Sequence, residues 1–173
     1  MKTLLLHDSS SDRPFAAALE AAGHEVVRCT RLGRVAFPCD GLEGNCPLDG
    51  TVDLAVVVHD RPTGDISPGE AGVVCALRDG LPLVVAGNGA RHPFGDKVAA
   101  VAASVEDVTS ACQRAVAARN ARLARLAGTP VAVEGGRVRA TLPAGSSSAD
   151  VLRAHRRLSE ALPRAHAVDV RIG

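Results

Sequence analysis

Leu54, Ala55, Val56, Val57 and Val58 follow one another with no polar interruption. A strand that is wet on one face alternates apolar and polar residues. An unbroken apolar run needs cover on both faces, the situation of a central strand in a parallel sheet flanked by helices. The chain around this run must therefore supply further parallel strands and helices for both sides.

The flanking pattern supplies them. Residues 3–7 read as a first strand, followed by polar residues 9–12. Pro14 sits where a first helical turn tolerates proline. Phe15, Ala18, Leu19 and Ala22 then share one helical face, and Gly23 closes that helix. Residues 24–29 read as a second strand. A strand-helix-strand opening with short loops predicts parallel pairing and a right-handed crossover. Beyond the central run, a helix is expected over 69–79, a strand over 81–86 and a strand over 98–103. Gly87, Gly89, Gly95 and Pro93 leave little room for a helix between the last two. Ser104 and Asp107 make a capped start for a long helix to about residue 126.

After Gly128 the pattern changes. Residues 130–134 and 137–142 flank Gly135-Gly136, a hairpin signal. An amphipathic helix over 149–162 and a strand over 166–172 complete a ββαβ unit. The expected organisation is an α/β domain over residues 1–127 with a parallel sheet of about five strands, then a small ββαβ subdomain over 128–173.

With aromatics at 2% and no Trp or Tyr, Val, Leu and Ala must build the core. The net charge of +1 predicts no strong attraction to nucleic acid or to anionic membranes. No stretch has the roughly 18 consecutive apolar residues of a membrane span. The opening residues lack the long apolar core of a signal peptide, so a cytoplasmic protein is expected. Five cysteines at uneven spacing do not make a secreted disulfide framework.

Residues 30–52 break the helix-strand rhythm. Six glycines and prolines crowd around Cys39 and Cys46. A loop of this length within a compact domain is functional or disordered. A Cys39–Cys46 disulfide and a metal shared with Cys29 are the two chemical devices that would tie it down. Zinc or an iron–sulfur cluster are the cofactors to consider. The Cys-x6-Cys spacing is not that of a CxxC site. Cys75 and Cys112 fall on apolar helical faces and read as core.

Two resemblances cover residues 3–127. "LEAAGHEVV" at 19–27, "VDLAVVV" at 52–58 and Pro62 resemble a response-regulator receiver domain, which has a flavodoxin-like fold. On that pattern the phosphoacceptor falls at Val58 and the switch Ser/Thr at Gly87, so the resemblance implies a pseudo-receiver. Glu70, Gly72, Ala76, Gly80 and Pro82 resemble the signature of nucleoside 2-deoxyribosyltransferase-like proteins. That likeness implies Glu70 as nucleophile at a sugar carbon, although the tyrosine of that family after the first strand has no counterpart. A helix-terminal glutamate is also favoured simply by the helix dipole. The C-terminal "VAVEGGRVRATLP" at 131–143 with "LSEALPRAHAVDVRI" at 158–172 resembles a BON-type module.

In an open parallel sheet, ligands bind beyond the carboxyl ends of the strands. His7, Asp8, His59, Asp60, Asn88 and His92 fall there and are the candidate ligand-binding residues. Cys29, Cys39 and Cys46 are the candidate metal ligands. His24, His155 and His166 are expected at the surface, and the arginines between 114 and 125 on a solvated helix face.

Together these features predict a non-enzymatic regulatory or ligand-binding protein on a degenerate pseudo-receiver domain. A nucleoside-processing enzyme using Glu70 and a metal- or redox-binding protein using the cysteine loop are the alternatives. The expected partner is a small molecule or another protein, a second copy included.

Overall fold

The computed structural model describes residues 1–7, 12–29, 39–59, 67–87, 92–162, 165 and 167–173. Among the described residues, eight strands and four α-helices run in the order β1 (Lys2–His7), α1 (Asp12–Ala21), β2 (Glu25–Val27), β3 (Leu54–His59), α2 (Gly72–Arg78), β4 (Leu83–Gly87), β5 (Val98–Ala102), α3 (Val108–Ala127), β6 (Val131–Glu134), β7 (Arg137–Leu142), α4 (Ser148–Ala161) and β8 (Ala167–Ile172). Asp8, Asp60 and Asn88 lie outside the described residues, as does His166.

Strands β1–β5 form one sheet in the order β2-β1-β3-β4-β5, and every pairing in it is parallel. This is the strand order of a flavodoxin-like α/β fold. β3 is central and every one of its residues is buried, as its unbroken apolar run requires. Side-chain alternation divides the strands between two cores. Leu5, Val56, Val58, Val84 and Ala86 pack on Phe15 and Leu19 of α1 and on Val108, Ala111, Cys112 and Ala115 of α3. Leu4, Leu6, Ala55, Val57, Leu83 and Val85 pack on Val73 and Ala76 of α2, with Leu48 and Val52 filling the edge.

Several boundaries differ from the sequence expectation. β2 is only three residues long. β4 starts at Leu83 because Pro82 has no N–H for the ladder, although its carbonyl accepts from Ala55 N at 3.0 Å. The helix expected over 69–79 divides into a single 3-10 turn at Pro68–Glu70 and the short α2. Within the cysteine segment, 3-10 turns form at Asp40–Glu43 and Pro47–Asp49. Among the described residues, only a 3-10 turn at Gly95–Lys97 precedes β5, so Val101 on that flank is 49% exposed.

The second sheet has the order β6-β7-β8, with β6 and β7 antiparallel and β8 parallel to β7. α4 makes the crossover, giving the expected ββαβ unit. Leu158 and Leu162 join Val131, Val133 and Val138 in a third core, into which α3 sends Leu123. Gly128 ends α3 at φ 72, a left-handed cap whose N–H bonds Ala124 O at 2.8 Å.

Arg119 departs from the solvated arginine face expected for its helix. It is 6% exposed, and its guanidinium donates to the carbonyls of Asp53 at 2.8 Å and Val133 at 3.3 Å. The Asp53 carboxylate in turn accepts from the backbone amides of Lys2 at 2.9 Å and Gly135 at 3.1 Å. Burial lowers the Arg119 pKa, and the Asp53 charge opposes that shift. These two residues stitch the hairpin of the second sheet to the amino end of the first. His24 is a further departure. It is 8% exposed and hydrogen-bonded through Nδ1 to the Thr3 hydroxyl at 2.8 Å.

Candidate ligand site at the carboxyl edge of the sheet

β3 ends at His59. Counting alternately from Val57, the imidazole falls on the α2 face of the sheet. The chain returns to this face at Ser67, and the Ser-Pro-Gly-Glu turn presents Glu70 to it. Ser-x-x-Glu is the pattern in which a glutamate reaches back to the amide at the start of its own turn. Glu70 does so, its Oε2 accepting from Ser67 N at 2.8 Å. Its other oxygen, Oε1, accepts from His59 Nδ1. His59 is 2% exposed and Glu70 1%. A carboxylate this deep in the protein is costly unless its lone pairs are met by donors, and here both oxygens are met. The bond also fixes the orientation of the imidazole.

His92 completes the cluster from beyond β4. It is 6% exposed, and its ring meets that of His59 edge to face at a centroid separation of 5.4 Å. Phe94 also meets this ring, at a tilt of 43° with centroids 5.8 Å apart. The Phe94 amide donates to His92 Nδ1 at 3.3 Å, which leaves the proton of a neutral ring on Nε2. That Nε2 is buried and has no hydrogen-bond partner among the described residues. Burial lowers the His92 pKa first of all; Glu70 acts against that shift and His59 with it. One donor atom from each of His59, Glu70 and His92 lies within 4.8 Å of the other two.

Gly87 allows β4 to end here. It pairs with His59 in the ladder and has φ 85, and a Cβ on it would lie 3.1 Å from the His59 carbonyl oxygen. A side chain at this position would meet both the left-handed backbone penalty and that close approach.

The strand-end residues expected to converge divide between the two faces of the sheet. His7 pairs with Val58, so it shares the α1 face and not the face of His59. Its Nε2 lies 3.6 Å from Asp12 Oδ2, which also accepts from Arg28 Nε at 3.2 Å and from Arg28 Nη2 at 3.1 Å. Asp12 is fully buried. His7 thus belongs to a second polar cluster, with an aspartate and an arginine that the sequence did not single out.

All five cysteines are thiols. Cys39 and Cys46 flank Gly41, and both sulfurs come within 3.5 Å of the point where a Cβ on Gly41 would stand. Cys29 Sγ lies 3.0 Å from the corresponding point on Gly72, beside Leu6, and Cys29 and Cys46 both pack against the α2-side core. Among the described residues, the one group of three close metal-type donors is His59, Glu70 and His92, with no thiol in it. Cys112 is fully buried and its thiol is pushed up to about 12 by burial. Cys75 packs half-buried against the α2-side core.

No family model matches the chain, and neither does any curated protein or solved structure.

Proposed function

We propose that this chain is a non-enzymatic regulatory protein that binds a ligand at the carboxyl edge of its parallel sheet, on a receiver-like frame without phosphotransfer. The observation that carries the reading is His92 Nε2, a buried polar atom without a partner among the described residues, beside the His59–Glu70 pair. Leaving such a donor unmet costs about 1–3 kcal/mol, which a ligand atom placed against it recovers. The absence of phosphotransfer is supported by the two positions that resemblance to a receiver makes decisive. Val58 is fully buried in the apolar core, and Gly87 stands where its backbone excludes a serine or threonine.

The nucleophile role for Glu70 gains less support. A nucleophilic carboxylate has to turn an oxygen to substrate, while Glu70 spends its oxygens on His59 and Ser67. Its geometry is that of a residue positioning His59.

The test is thermal unfolding of wild type and His92→Phe against a panel of nucleosides, nucleotides and carboxylic acids. The reading expects at least one compound to raise the wild-type Tm and to leave the variant unmoved. A panel without effect, or equal shifts in both proteins, would overturn it.

A further inference from the structure

We infer that His59, Glu70 and His92 form a binding site for a divalent first-row transition ion, of which zinc is the natural probe. The inference deepens the ligand-site reading above, since it uses the same three residues. Two imidazoles and one carboxylate make a donor set that zinc accepts with an open fourth position. Oxygen-seeking ions such as magnesium and calcium gain little from imidazole nitrogen. The donor atoms already stand within 4.8 Å of one another. An ion bound at roughly 2.0–2.1 Å from each parts the hydrogen-bonded His59 and Glu70 atoms and brings His92 up to them, changes within the reach of side-chain rotation.

The buried carboxylate favours the cation as well. All three side chains are more than nine-tenths buried, and the carboxylate supplies a negative charge in a low-dielectric place. In the metal-free protein a proton between His59 Nδ1 and Glu70 Oε1 holds the pair together. The ion takes the place of that proton, and His59 Nε2 takes one up, so the ring ligates as a neutral imidazole. At His92 the proton on Nε2 gives way to the ion and Nδ1 takes one up, so the long 3.3 Å bond from the Phe94 amide opens. The cysteines are not needed: none of the five shares the group.

The experiment is titration of the purified protein with cobalt(II), followed by visible absorption and by competition with zinc. Wild type is compared with His92→Ala and with the double variant Cys39→Ser/Cys46→Ser. The expected result is one tightly bound cobalt per chain with d–d absorption, retained in the cysteine variant. In His92→Ala the affinity is expected to fall by at least about a hundredfold. Imidazole NMR signals of wild-type protein during zinc titration give a second readout that needs no variant; those of His59 and His92 are expected to shift together. No stoichiometric cobalt, or binding lost in the cysteine variant with the imidazole signals unmoved, overturns the inference. Failure here with His92-dependent stabilisation by a panel compound removes the metal and leaves the ligand reading intact. Metal binding with an inert panel does the reverse.

Discussion

His59 Nδ1 donates to Glu70 Oε1 across eleven positions of sequence, with both side chains sealed from solvent. This bond joins the last residue of the central strand to the turn that leads into α2. It fixes the orientation of the His59 imidazole and accounts for one of the two oxygens of a fully buried carboxylate.

Glu70→Ala leaves His59 Nδ1–H and the Ser67 amide without their acceptor. We expect a loss of about 2–4 kcal/mol in denaturant unfolding, the scale of breaking a buried, hydrogen-bonded pair from one side. A charge that merely complements a helix dipole is worth about 0.3–1 kcal/mol. A measured loss in that lower range would remove Glu70 from its positioning role.

Arg119→Ala is expected to loosen the second sheet from the first. Its guanidinium supplies bonds to Asp53 O and Val133 O, and charged donors of this kind contribute about 1.5–3 kcal/mol. Hydrogen exchange is expected to speed up at β6 and at Gly135, while the amides of β3 and β4 keep their protection. Uniform loss of protection across both sheets would show that Arg119 supports the whole fold and not this junction.

Much of the frame is legible in the sequence because period alone carries it. The apolar run at 54–58, the helix closed by Gly23 and the Gly135-Gly136 turn each state a local structure, and the sheet follows from them. The site is less legible. Strand-end reasoning gathers His7 with His59, but one residue of register, His7 opposite Val58, sends them to opposite faces. Pairing Glu70 with His59 needs the return path of the chain, and no local pattern states it. Arg119 was readable: it falls in phase with the buried stripe of Cys112, Ala115 and Leu123 on α3. An arginine in the apolar phase marks a buried contact.

His24 predicts a pH dependence. Burial lowers its pKa below 6.5, the amino-terminal charge acts the same way, and Asp53 partly offsets them. In the unfolded chain the imidazole takes a proton near pH 6.5, whereas in the folded chain it resists until lower pH. The unfolded state thus binds more protons in that window, and stability falls as pH drops below 6.5. His24→Gln is expected to unfold with a shallower pH slope than wild type over this window. Equal slopes in the two proteins would contradict the assignment.

Acetyl phosphate is expected to leave the intact mass unchanged in the presence of magnesium. The residue at the expected acceptor position is Val58, which has no nucleophile and no exposure. A gain of one phosphate, mapped to Asp8 or Asp60, would restore phosphotransfer and remove the pseudo-receiver reading.

The most direct measurement is diffraction from crystals grown with zinc, recorded on both sides of the zinc absorption edge. The account predicts one strong anomalous peak per chain, placed between His59, Glu70 and His92. A peak between Cys39 and Cys46, or no ordered zinc in the chain, would contradict it.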